Sequence, residues 1–376
     1  MAFEIISQPA GFCLADDIFF YKIKDTSAVA FSTATWTLIL KDNDNNEYEY
    51  QYTSIYFADK TTYLNISDMV RALATQLRSF PDADIFALAS YVQVYLNVNS
   101  TSGTYTFNPC FSILGQFSAN QKDFLPINGL KSFTPFFANG LIFKAATNTQ
   151  QYALNNSYLL SSFYIQYYGS FKINYDFYEN NTLIRSEEFA MDSLYAFDNN
   201  ISIFRTYNHL VNFGDLSSEN ITRIVATLQL AIGIQKSESI YYTVQYQNET
   251  DNRRVFVFRN KKGGAQVLHT NGTETIRVAQ AANRLEGTFQ EKDYSQRQNT
   301  KQVVYNTSDE TIYETSTGYM NKPQFDNITD IFYAQDVWLW ENEKFVAVEI
   351  DNNASEKFDN NNGIFYAKLA WKYGYR

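Results

Sequence analysis

A chain of 376 residues with a formal charge of −10 and a pI near 4.9 is too long for one ordinary domain; at roughly 150 residues each it holds two or three. Its acidity argues against general nucleic-acid binding, where phosphate contacts need Lys and Arg, and a hydrophobic share of 45% excludes general disorder. Aromatics make up 17%, with 31 Phe and 29 Tyr against 4 Met and 6 Pro, which suits pleated, half-buried surfaces and predicts a mainly β chain of several β-sandwich or β-barrel-like domains with a few short helices.

In chain order, the N-terminus Met-Ala-Phe-Glu-Ile-Ile-Ser has no basic segment followed by an apolar core, so no secretory signal is expected. No later stretch has the length and apolarity of a membrane span. Triplets such as Asn65-Ile66-Ser67 and Asn327-Ile328-Thr329 then reflect an Asn-rich composition rather than glycan sites. Trp36, Leu38 and Leu40 alternate with Thr35, Thr37 and Ile39, and after the polar run 42–46, Tyr48, Tyr50 and Tyr52 alternate with Glu49, Gln51 and Thr53. Two such runs across an Asn/Asp turn predict a β-hairpin. One helix is expected at about 66–79: Asn65 or Ser67 caps it, Ile66, Met69, Val70, Leu73 and Leu77 keep helical spacing, and Phe80-Pro81 stops it. Strands are expected at 91–98 and 103–114.

The middle third repeats this style. Phe171, Ile173, Tyr175 and Phe177 line one face, and Glu179-Asn180-Asn181 turns into a strand at 182–189; two more strands are expected at 224–234 and 240–246. A polar stretch at 247–254 marks a boundary. Beyond it come 255–258, a Gly263-Gly264 turn, and a segment at about 284–317 poor in apolar residues, expected to be a long loop or extended arm. A hairpin closes the chain, 337–340 meeting Lys344–Ile350 through Glu341-Asn342-Glu343, before a last strand with Phe365, Ala367, Leu369, Trp371 and Tyr373 on one face. The expected division is a β-rich domain with one helix at 1–120, a second at 121–247, and a third at 248–376 that carries the polar arm; no fixed-period repeat is present.

Signals for chemistry are sparse. The two histidines, His209 and His269, have no metal-type neighbour at helical spacing and read as surface or half-buried side chains. Cys13 and Cys110 sit in apolar surroundings and read as reduced, buried thiols. The run at 42–46 starts like a calcium loop, but Glu47 and Thr53 stand where an EF-hand needs Gly and Glu, so it reads as a turn. Asp16-Asp17 and Glu187-Glu188 are adjacent, and neighbours on a strand point to opposite faces. No phosphate loop or nucleophile elbow occurs. The chain is therefore expected to be no enzyme, with no cofactor and no metal. The cluster Arg253, Arg254, Arg259, Lys261 and Lys262 stands out against the acidic background, either as a solvated strand end or as a candidate contact with an acidic neighbouring subunit.

The segment Val255-Phe256-Val257-Phe258-Arg259-Asn260-Lys261-Lys262-Gly263-Gly264, followed by Val267-Leu268 and Asn271-Gly272, resembles a hairpin common in structural proteins of Bacteroidales phages. Phe332-Tyr333-Ala334, Val337-Trp338-Leu339-Trp340, the strand at 345–350 and Trp371 are similar in style, and the Asn- and Tyr-rich, cysteine-poor composition resembles virion proteins of crAss-like phages. The resemblance covers roughly the last third of the chain. It implies a virion component of the tail, neck or head-fibre kind, a tail or neck ring foremost, made in the host cytoplasm and partnered by copies of itself and other virion proteins, with no catalytic residues to transfer. In such a ring, heterologous interfaces close on themselves, the polar arm orders on a neighbour, and an acidic lumen lets DNA pass without adhering. The alternatives are a particle-displayed receptor- or glycan-binding adhesin and, last, a glycan-degrading enzyme, which needs a carboxylate pair at a set separation.

Overall fold

A computed structural model describes residues 3–9, 12–15, 18–42, 46–76, 81, 85–88, 92–113, 142–144, 150–165, 171–190, 205–230, 239–246, 253–260, 263–270, 274–286, 302–353, 355–359 and 365–374. Among these the chain is mainly β, with five sheets, mostly antiparallel, and two short α-helices. No helix among the described residues is long and apolar enough to cross a membrane.

The first hairpin follows directly from its alternation. Thr33–Lys41 pairs with Glu47–Ile55, Trp36 facing Tyr52, and Ala34, Trp36, Leu38 and Leu40 are buried. The turn closes on Asp42, whose carboxylate accepts the Asn46 backbone N–H at 2.9 Å, the Asn46 amide at 2.8 Å and the Tyr48 hydroxyl at 3.1 Å. Val92–Ser100, Cys110–Ile113 and Phe12–Leu14 extend this sheet, the last in parallel. A second sheet of Phe3–Ser7, Phe20–Asp25 and Thr61–Asn65 shares its core with the helix Ser67–Gln76: Tyr21, Ile23, Trp36, Val70, Val94 and Phe107 pack together. Asn65 Oδ1 caps the helix by accepting from the Ser67 N–H at 3.0 Å and hydroxyl at 2.7 Å. Residues 77–80, where the helix was expected to continue, lie outside the described residues. Both cysteines are free and buried in this core.

The middle core is two facing sheets. One orders Ile142–Lys144, Tyr158–Ile165, Arg205–Asn212 and Ile85–Leu88; the other Gln150–Leu154, Ile240–Gln245, Arg223–Leu230, Phe171–Glu179 and Thr182–Ala190. Leu159, Phe163 and Tyr207 from the first meet Ile173, Tyr175, Phe177 and Leu228 from the second. Ile85–Leu88 belongs to the first 120 residues yet pairs with 206–209 of this sheet, so the sheet draws on chain from before the expected boundary.

The C-terminal sheet runs Ala265–Thr270, Arg254–Arg259, Val337–Glu341, Lys344–Ile350, Phe365–Tyr373, Gln302–Ser316 and Thr275–Glu286, with Glu356–Asp359 also paired to Phe365–Tyr373. A capped helix, Lys322–Ile328, and the 3-10 turn Thr329–Tyr333 cover one face; Asn321 and Gln324 form a reciprocal capping box. Phe325, Ile328 and Ile331 pack there on Phe256, Leu339 and Trp371. The opposite face gives Val257, Ala265 and Trp338 to a cluster with Leu160 and Leu210 of the middle region. Both faces of Arg254–Arg259 are therefore covered, which is why Val-Phe-Val-Phe carries no polar alternation.

The described residues of the segment at about 284–317, expected as a long loop or extended arm, are paired: Thr275–Glu286 and Gln302–Ser316 form one antiparallel ladder from Thr275↔Glu314 to Glu286↔Gln302, with a register shift between Asn283 and Arg284. Few apolar residues lie there, so no hydrophobic period marks the strands, but the ladder bonds are between main chains and need none.

Candidate functional site

The basic cluster does not act as one surface. Arg259 is 7% exposed and its Nε donates to Asp336 Oδ2 at 2.8 Å, with Asp336 2% exposed. As a subunit contact Arg259 is therefore corrected: its charge is consumed inside the C-terminal sheet. Arg254 is half-buried and held between Glu274 at 2.8 Å and Glu341 at 3.3 Å. Arg253 is also half-buried, its Nε and Nη2 buried without a hydrogen-bond partner. Lys261 and Lys262 lie outside the described residues.

His209 also departs from expectation. It is 2% exposed, and its Nδ1 lies 2.9 Å from the Tyr175 hydroxyl. Tyr175 donates to Ser161 Oγ at 3.2 Å, Ser161 lies 2.9 Å from the Tyr242 hydroxyl, and Tyr242 donates to the Leu160 carbonyl at 2.8 Å. A consistent direction runs from the His209 Nδ1 proton to that carbonyl, so each buried polar group in the chain finds a partner. Burial pushes the Tyr175 and Tyr242 hydroxyls well above the usual phenol range. The series of bonds ends on the main-chain oxygen of Leu160. Sequence gave no sign of it, since its members come from four different strands.

Among the carboxylate pairs, Glu188 is bound to Lys172 at 2.8 Å and Glu187 to Arg185, on opposite faces of Thr182–Ala190 as the pleat requires. Asp16 and Asp17 lie outside the described residues. Among the described residues no group of three or more His, Cys, Asp or Glu is placed to hold a metal ion.

Two features have the geometry of contact sites. The first is the ladder 275–316. Gln302–Ser316 joins the sheet only through Tyr313–Ser316, opposite 368–371. Over the rest of its length its sole strand partner among the described residues is Thr275–Glu286. At about 3.3 Å per residue this two-stranded arm is roughly 35 Å long. Its base is fixed by Glu314, which binds Arg277 at 2.7 Å and Lys368 at 2.9 Å; Lys368 foremost holds this carboxyl below its usual range. Beside that anchor Ile276 and Val278, 64% and 58% exposed, stand on one face of the outermost strand.

The second is a cleft where the middle and C-terminal regions meet. The seam is hydrogen-bonded as well as apolar: the Ala265 N–H donates to Ser162 Oγ at 3.2 Å and Asn208 Oδ1 at 3.1 Å, and Gln266 Nε2 donates to Gln151 Oε1 at 3.1 Å. Next to it opens a cavity of about 90 Å³, bordered by Gln151, Gln245, Gln266, His269, Tyr319 and Gln324 among others. Among the described residues no Asp, Glu, Lys or Arg lines it. His269 Nδ1 lies 3.0 Å from the Ser157 hydroxyl, and its Nε2 is buried without a partner. Burial foremost, with the positive charge of Arg253, outweighs a main-chain hydrogen bond at Tyr158 and pushes its pKa down to about 4, so the His269 ring is neutral at neutral pH.

No protein-family model and no curated protein matches this chain. A solved structure described as a marsupial T cell receptor is similar at 8% identity over 61% of this chain and 85% of that one, with a TM-score of 0.19, an overlap too loose to bear on fold or function.

Proposed function

We propose that this chain is a structural subunit of a phage virion, a tail or neck ring component that assembles with copies of itself and other virion proteins around a DNA channel. The arm carries this reading. A two-stranded ribbon is marginal on its own in water, and an exposed outer strand with apolar side chains invites pairing. An arm of this length becomes stable when it lies on a neighbour, adding interface without a larger core. A heterologous arm-in-neighbour contact closes into a ring when the rotation between copies permits. The net charge of −10 suits a lumen past which DNA slides without adhering.

Light scattering and negative-stain microscopy of the full chain, beside a variant in which residues 282–307 are replaced by a short Gly-Ser turn, test the proposal. The full chain forms discrete rings; the shortened chain keeps its far-UV spectrum and runs as a monomer. A full chain that stays monomeric at its highest soluble concentration overturns it, and so do rings that survive the loss of the arm.

A further inference from the structure

We propose that the cleft beside Ala265–Thr270 binds a neutral sugar residue of a glycan, edge-on. Four glutamines border it, Gln151, Gln245, Gln266 and Gln324; Gln266 and Gln151 are bonded to each other, and the ligand is met by Gln245 and Gln324, since a side-chain amide offers both donors and an acceptor. A sugar hydroxyl also both donates and accepts, so amides match polyols pair by pair. Gln324 gives its Oε1 to the Asn321 N–H at 2.7 Å in the capping box, which fixes the side chain and leaves the Nε2 hydrogens to point elsewhere. His269 stands on the same wall.

Charge decides the ligand class. With no carboxylate, ammonium or guanidinium among the described lining residues and His269 neutral, an ionic ligand would shed its water without a counter-ion there, at a cost that a neutral polyol avoids. Tyr319 supplies the apolar part of the match: the residue is 78% exposed at the rim and its ring is met edge-on by Tyr366 at 6.0 Å. A flat, exposed ring there can cover the C–H face of a pyranose. The volume of about 90 Å³ holds a few waters rather than a whole ring, so one edge of the sugar enters and the rest of the chain remains outside. A peptide strand is less well served, because Ala265 N–H on the neighbouring edge is already bonded to Ser162 and Asn208. The site is independent of the assembly proposal; binding is read on single or assembled chains alike, and its failure leaves that proposal standing.

The test is calorimetric titration of the full chain with neutral glucan, mannan and galactan oligosaccharides, sialylated and uronic-acid oligosaccharides, and a neutral peptide library. At least one neutral oligosaccharide binds, Tyr319→Ala weakens it by about tenfold, Gln245→Ala weakens it in the same direction, and Tyr319→Phe retains it. Absence of neutral-saccharide binding overturns the proposal. Binding indifferent to both alanine variants, or confined to charged glycans or peptides, overturns it equally.

Discussion

Arg254 and Arg259 end the same strand and meet opposite fates. Arg259 and Asp336 are both buried, so removing one leaves the other charged in a low-dielectric interior. Asp336→Ala is expected to cost about 3–5 kcal/mol, whereas Arg254→Ala, at a partly solvated pair, costs about 1 kcal/mol or less; urea unfolding of the two variants measures the contrast. A buried carboxylate of another kind sits in the N-terminal core. Asp25 is fully buried and accepts from the Ser27 and Ser102 hydroxyls at 2.6 Å and from Ser100. Burial by itself raises its pKa, but the hydroxyl and main-chain donors outweigh this and hold it well below the usual carboxylate value. Because the folded pKa is depressed, the stabilisation is present above the unfolded value, about 3.9, and is lost as the pH falls below it. Asp25→Asn should lower stability at neutral pH and flatten the acid limb of the stability–pH curve; an unchanged limb refutes the assignment. Apart from the local Asp25–Ser27 bond, these partnerships were not legible beforehand, because they join residues distant in the sequence. An arginine bound for burial and one bound for solvent look alike in a string of letters.

Hairpins were far more legible, because turn chemistry and alternation are local. The Asp42 turn, the Asn180 turn with its φ of 55° and the Glu341–Lys344 connection all lie where the residues place them. The last has Asn342 and Glu343 at φ 51° and 60°, the left-handed pair that matches the twist of the flanking strands. Asn suits that conformation and Glu does not. Glu343→Gly should therefore raise stability by about 1 kcal/mol, seen as a higher thermal midpoint with an unchanged β spectrum; a loss of stability would contradict the turn geometry. The arm strands were missed for the reverse reason: their residues lack an apolar period, and only the main-chain ladder defines them.

Across the whole molecule, the same amphipathic logic operates at two levels. Inside each core, alternating residues close a sheet against its partner. At the seam, Trp338 and Val257 use the opposite face of their strands to reach Leu160 and Leu210, and Tyr158 meets Trp340 edge-on at 5.5 Å. The cleft exists because those regions meet there, so none of its glutamines could be singled out from their surroundings in sequence. What the sequence determined by itself was strand content, hairpin turns, the helix and the buried reduced thiols, since period, propensity and capping act over a few residues. Which cation is buried, where the polar chain of His209 runs, that the polar segment pairs into an arm and that glutamines from separate elements share a cavity were decided only by tertiary packing. Those outcomes depend on which surfaces are brought together, and short-range preference holds no record of that.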